Sequence, residues 1–216
     1  MGRNLVAISV AVAALAGAAR CGGVGKLPTQ PTAASAVIVA FGDSLTAGPG
    51  LDPSETYPVL LQRRLRQSGY DYRVVNAGVS GDTSTEAVRR IDQALVPDTK
   101  VMILELGVND GLRGMPTNTL EQNLTTIIQR AQSHGIAVLL CGMEAPPLKG
   151  LNYSIEFHRV FTRLADRYKL TLVPFFLIGI VGNPDLTLGD LAHPNAEGHK
   201  VIADAIWPYL EPMLAK

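Results

Sequence analysis

Four short stretches of this 216-residue chain carry the residue types that acyl transfer to water requires. Ser44, in Gly42-Asp43-Ser44-Leu45, is a hydroxyl at a small-residue turn. Asp190 and His193 share the loop Asp190-Leu191-Ala192-His193-Pro194. Their spacing lets one carboxylate reach one imidazole nitrogen while the other nitrogen faces the serine. Gly78 offers an unshielded backbone N–H, and Asn109, in Gly107-Val108-Asn109-Asp110, offers a side-chain N–H. Together these supply a nucleophile, a base, a carboxylate to orient the base and donors for a developing oxyanion. Each has a plain structural reading when taken alone. Ser44 or Asp43 would cap a helix, Asn109, Asp110 and Gly78 would sit in turns, Asp190 would cap a turn, and His193 would be an exposed loop residue. Four blocks in order favour catalysis over four coincidences. Asp43 and Asp110 are read as groups that orient their own loops.

The elements around these stretches alternate. Ala36–Phe41 is a continuous apolar run that stops at Gly42, as in a strand buried on both faces. Further strands are expected at Tyr72–Val75, Val101–Leu106, Ile136–Leu140 and Leu170–Val173. Helices are expected at Tyr57–Gln67, Thr83–Leu95 with Asp82 as N-cap, Asn118–Ser133, Ile155–Tyr168 and Asn195–Leu214. Such alternation implies an α/β fold with a parallel five-stranded sheet and helices on both faces. Polar residues at the carboxyl ends of the strands then converge on one edge. No internal repeat and no second domain are visible.

Gly-Asp-Ser-Leu at 42–45, Gly78, Gly-x-Asn-Asp at 107–110 and Asp-x-x-His at 190–193 resemble the four blocks of the SGNH (GDSL) hydrolase superfamily. Asn109–Gly114 and Gly142–Pro147 resemble its arylesterase and thioesterase I/lysophospholipase L1 branch. The resemblance implies a three-layer α/β/α, flavodoxin-like sandwich over residues 36–216. It implies Ser44 as nucleophile, His193 as base and Asp190 as orienting acid. It implies an oxyanion hole built from the N–H groups of Ser44 and Gly78 and the Asn109 side chain. Ala192, before the histidine, departs from the larger aliphatic common in relatives, a change expected to touch packing and not chemistry.

Composition narrows the partners. Nineteen basic and nineteen acidic residues balance, which argues against a nucleic-acid binder. Arg3 followed by the uncharged run Leu5–Ala19 reads as a secretory signal, too short for the roughly 20 residues of a membrane-spanning helix. A Gly/Pro/Thr/Ala-rich linker follows, so residues 1–35 are expected to be leader and tether, and the enzyme extracytoplasmic. Lipidation of Cys21 is the less favoured reading, because Arg20 stands where lipoproteins carry a small residue. No GxSxG, GxGxxG, P-loop or HExxH occurs and no cluster has metal-ligand spacing, so no metal or cofactor is expected.

Leu112, Pro146, Pro147 and Phe175 are candidate substrate-binding residues, since the apolar loops around the site suit an acyl chain or aryl ester. The run Phe175–Ile180 could equally close the core. A monomeric hydrolase of small esters or thioesters is expected. A carbohydrate deacetylase or acyltransferase of the same superfamily is the alternative, and a non-catalytic binding protein is less favoured.

Overall fold

The apolar runs become the middle of a sheet. In the computed structural model, which describes residues 36–215, five parallel strands lie in the order β2-β1-β3-β4-β5. They are β1 (Ala36–Gly42), β2 (Tyr72–Gly78), β3 (Thr99–Glu105), β4 (Ala137–Cys141) and β5 (Thr171–Val173). Every residue of β1 is buried, as an uninterrupted apolar strand covered on both faces must be. The signal-like run, the linker and Cys21 fall outside the described residues.

Among the described residues seven α-helices connect or follow the strands: α1 (Ser44–Ala47), α2 (Tyr57–Gln67), α3 (Ser84–Ala94), α4 (Val108–Arg113), α5 (Thr117–Ser133), α6 (Leu151–Tyr168) and α7 (Ala196–Leu210). From β1 the chain steps to one side to reach β2, then crosses back to β3, β4 and β5. Right-handed crossovers therefore put α2 on one face and α3, α5 and α6 on the other. The packing agrees: α2 lies against α7, while α3, α5 and α6 lie side by side. The reversal places a crevice outside the carboxyl ends of β1 and β3, where open α/β sheets bind ligands.

Several expected boundaries move. β2 runs on to Gly78, because its ladder with β1 continues through Ala40–Asn76 to Gly42–Gly78. Asn, Ala and Gly are poor strand formers, so pairing decides these residues and propensity does not. Helix α3 is capped by Thr83 and not by Asp82: Glu86 reaches back to the Thr83 N–H at 2.9 Å, as a capping box does. Asp82 is drawn away by Arg90. Helix α7 starts after Asn195, whose side chain accepts from the Gly198 N–H at 3.0 Å, and stops at Leu210 before a 3-10 turn. Of the two short helices, α4 had no sequence expectation, while α1 is the helix that Ser44 or Asp43 was expected to cap; both end on glycines in the left-handed region, Gly48 and Gly114.

Candidate functional site

Ser44 opens α1 at the carboxyl end of β1 and is 6% exposed. Asp43 caps that helix by accepting from the Leu45 N–H at 3.0 Å. Only glycine fits at position 42, since a Cβ there would collide with Thr46 Oγ1 and Glu105 Oε2. The backbone N–H of Ser44, at the first helical position, has no acceptor among the described residues, as expected of a helix N-terminus.

Beneath the serine lies a buried polar chain. Glu105 Oε2 accepts from Thr46 Oγ1 at 2.7 Å and from the Asp43 N–H at 3.3 Å. Thr46 Oγ1 also meets the Tyr57 hydroxyl at 2.9 Å, and the Tyr57 N–H donates to His199 Nδ1 at 3.1 Å. Burial, reinforced by Asp43, pushes the Glu105 carboxyl well above the usual range. Burial also raises Asp43 to about 7 and lowers His199 to about 4. His199 is therefore a neutral core histidine stacked on Tyr57.

His193 comes from the loop before α7. Asp190 Oδ1 accepts from the N–H groups of Ala192 and His193, both at 3.0 Å, while Oδ2 accepts from His193 Nδ1. Leu191, at φ 56°, turns the chain so that one carboxylate serves both purposes. The loop is pinned by bonds from Leu188 N–H to the His193 carbonyl (2.8 Å) and from Gly182 N–H to the Leu191 carbonyl (3.1 Å). The other imidazole nitrogen, Nε2, lies 2.9 Å from Ser44 Oγ. The hydrogen bond from His193, with the two backbone donors, holds the Asp190 carboxyl down at about 2, so it is ionised at any working pH.

Asn109 is the second residue of α4, at the end of β3. Its Nδ2 donates to the Asp82 carbonyl at 2.9 Å and to Asp43 Oδ2 at 3.2 Å. Asp110 points the other way and accepts from the Ser84 N–H (2.9 Å) and hydroxyl (2.5 Å), fastening α4 to the start of α3. The orienting roles expected of Asp43 and Asp110 are thus present, but each reaches across to a neighbouring loop as well as, or instead of, its own.

Gly78 departs from its expected place. Its N–H is not unshielded: it donates to Asn76 Oδ1 at 3.0 Å. An added Cβ would strike the backbone N of Ala47, so the residue is a close-packing point between β2 and α1. Three residues on, Gly81 sits at φ 83° in an exposed turn closed by Asp82 N–H to Val79 O at 3.2 Å. Its N–H has no acceptor among the described residues, and its carbonyl accepts from Arg113 Nη2 at 2.8 Å. The glycine-rich stretch 76–82 was visible in the sequence; which glycine presents a free N–H was not.

A cavity of about 450 Å³ opens from Ser44, Asn109 and His193. Its walls are mostly apolar and include all four candidate residues Leu112, Pro146, Pro147 and Phe175, with Leu177 and Val181 beside them. The run after β5 divides: Phe175 and Leu177 face the cavity, Phe176 and Ile180 are buried in the core, and Ile178 is exposed. One wall carries a carboxylate that the sequence did not suggest, Glu144, held by His158 Nδ1 at 2.6 Å. Among the described residues no group of three His, Cys, Asp or Glu is placed to hold a metal ion, and no helix is long and apolar enough to cross a membrane.

Residues 40–201 match the family described as GDSL-like lipase/acylhydrolase. Over 189 residues the chain is 43% identical to "Esterase TesA" of Pseudomonas aeruginosa, covering 87% of this chain and 94% of that protein. It is 34% identical to an arylesterase of Vibrio mimicus, covering 80% and 87%. It is 32% identical to a "Thioesterase 1/protease 1/lysophospholipase L1" of Escherichia coli, covering 87% and 89%. A crystal structure of TesA superposes with a TM-score of 0.78 at 42% identity, covering 82% of this chain and 99% of that one.

Proposed function

This chain belongs to the GDSL-like lipase/acylhydrolase family and is a serine carboxylic ester hydrolase, and from that premise we propose that Ser44, His193 and Asp190 are its catalytic triad. The observation that carries the proposal is the unbroken line from Asp190 through His193 to Ser44 Oγ, with Nε2 at 2.9 Å from the hydroxyl. His193 takes the proton of Ser44 as Oγ attacks the ester carbonyl. Asp190, ionised, holds the ring in the tautomer that leaves Nε2 free to accept and stabilises the imidazolium that forms. The leaving alcohol departs with that proton, and water repeats the attack on the acyl-Ser44.

The oxyanion falls to the Ser44 N–H, the Asn109 side chain and a third donor. With the Gly78 N–H already engaged, Gly81 takes that role: its N–H is free and lies one residue before the Asp82 carbonyl that Asn109 holds. Asn109 exchanges its longer bond, to Asp43, for the oxyanion. Burial keeps Asp43 partly protonated near neutral pH, which weakens it as a competing acceptor.

The cavity supports aryl esters and short- to medium-chain acyl esters as substrates, including thioesters and lysophospholipids. About 450 Å³ of mostly apolar wall is ample for an acyl chain and offers few partners for sugar hydroxyls. The N-terminal run Leu5–Ala19 supports an extracytoplasmic location.

Hydrolysis of p-nitrophenyl esters of increasing acyl length, with Ser44→Ala as control, tests the assignment. Turnover is expected to fall about 10⁶-fold in the variant, as for loss of other triad serines, with the melting temperature unchanged. Retained turnover would remove Ser44 from the mechanism. A folded wild-type protein inactive on every chain length would favour the carbohydrate deacetylase or acyltransferase reading.

A further inference from the structure

Arg90 of α3 touches no part of the cavity, yet its guanidinium joins three of the segments that build the site. Nε donates to Asp82 Oδ2 at 2.5 Å, Nη1 to the Ala77 carbonyl at 2.8 Å and Nη2 to the Gly42 carbonyl at 2.8 Å. The group lies over the Phe41 ring, 4.2 Å from its centroid. Its side chain is 19% exposed and that of Asp82 11%, so the pair is poorly reached by solvent.

These contacts close a ring. Gly42 precedes Asp43, whose Oδ2 accepts from Asn109 Nδ2. That same nitrogen donates to the Asp82 carbonyl, and the Asp82 carboxylate returns to Arg90. Arg90 completes the circuit at the Gly42 carbonyl, which also accepts from the Val79 N–H at 3.0 Å. The ring therefore fixes the end of β1 that presents Ser44, the turn that carries Gly81, and the amide of Asn109 relative to one another. Nothing else among the described side chains bonds to both the Gly42 carbonyl and Asp82. Three donors spread in one plane are a property of guanidinium; a lysine ammonium is a point charge on a flexible stem and cannot hold three acceptors in these directions.

We propose that Arg90 is a positioning residue for ester hydrolysis, setting the direction of the Asn109 amide and the Gly81 turn toward the carbonyl that Ser44 attacks. The inference rests on the reading of Ser44 and Asn109 given above. It makes Arg90 matter in the transition state and not in substrate binding, because the acyl cavity is built by other residues. Misplacing such donors by about 1 Å costs on the order of 100-fold in rate.

The test is steady-state kinetics on one p-nitrophenyl ester with wild type, Ser44→Ala, Arg90→Ala and Arg90→Lys. Thermal melts and circular dichroism are recorded for each protein. Arg90→Ala is expected to lose on the order of 100-fold in kcat, with KM and the pH of half-maximal rate close to wild type. Low millimolar guanidinium chloride should restore part of the rate by refilling the vacated place. Arg90→Lys keeps the charge over Phe41 and the stem, and should recover only a small part of kcat. A folded Arg90→Ala or Arg90→Lys with wild-type kcat overturns the proposal. So does a loss that guanidinium does not relieve and that tracks the loss of folded protein. If Arg90→Ala does not fold, Arg90→Lys decides. Retained turnover in Ser44→Ala would instead break the underlying assignment, an outcome that the Arg90 variants do not imitate.

Discussion

Asn109 donates from a single amide nitrogen to Asp82 and to Asp43, and the longer of the two bonds is the one an oxyanion would replace. Deleting that donor removes an interaction that strengthens only as charge develops on the substrate. Asn109→Ala should therefore lower kcat by about 10²–10³ and leave KM little changed, as initial-rate measurements would read. Asp190 acts at one further remove. Its carboxylate does not touch substrate but fixes the His193 ring, and it is held ionised chiefly by the hydrogen bond from His193. Asp190→Asn presents an amide where Nδ1–H needs an acceptor and favours the wrong tautomer, so a fall in kcat approaching 10⁴ is expected. Because the Asp190 carboxyl sits near 2, its own protonation should not appear in the rate profile of the wild type above pH 4.

The elements contribute through close approach. β2 and α1 meet at Gly78, where a methyl group would press on the backbone N of Ala47. Backbone cannot swing aside as the tip of a long side chain can. Gly78→Ala should cost about 1–3 kcal/mol, read as a lower urea midpoint. At Gly81 an added methyl meets nothing within 4 Å, and the cost is that of φ 83° alone. Alanine there should lose about 1–2 kcal/mol. The contrast between the sites, collision at one and backbone strain at the other, separates packing from presentation of an N–H. Helices α3 and α4 are likewise joined by Asp110 and Ser84, so α4 keeps Asn109 in place although it is only six residues long.

At the scale of the molecule, two buried groups tilt stability with pH in opposite senses. Asp43 is raised from 3.8 to about 7, so between these values the folded state holds a proton that the unfolded state has lost. Its contribution therefore falls as pH rises through that window, by no more than about 1.4 kcal/mol per pH unit. His199 is lowered from 6.5 to about 4, so between these values the unfolded state binds the extra proton. Its contribution is present above 6.5 and is lost as pH falls toward 4. These two slopes oppose each other between pH 4 and 6.5, and Glu105, also raised by burial, acts in the same sense as Asp43. Relative to wild type, Asp43→Asn should gain stability as pH rises across that range. His199→Gln, whose amide oxygen can still accept from the Tyr57 N–H, should lose it. Urea unfolding at three pH values reads both differences, and parallel curves for wild type and variants would contradict the assignment.

Much of this protein can be read from its order of residues. Continuous apolar strands alternating with amphipathic helices require a parallel sheet covered on both faces, because no other arrangement buries them. A hydroxyl, an amide and an Asp-x-x-His pair at strand ends then have to meet at one edge. Leu112, Pro146, Pro147 and Phe175 could be named as cavity walls because apolar side chains in loops at that edge have few other places to go. Residue order alone could not settle which of several competing partners each group would take. The N–H of Gly78 is consumed by Asn76, and Asp82 serves Arg90 and leaves the cap to Thr83. Phe175 and Phe176 part company, one lining the cavity and the other filling the core. His199 acquires its shifted ionisation only from burial that the fold imposes, and Glu105 from that burial reinforced by Asp43. Local sequence sets which groups can donate, accept or be buried; three-dimensional competition for the same partners decides which of them do.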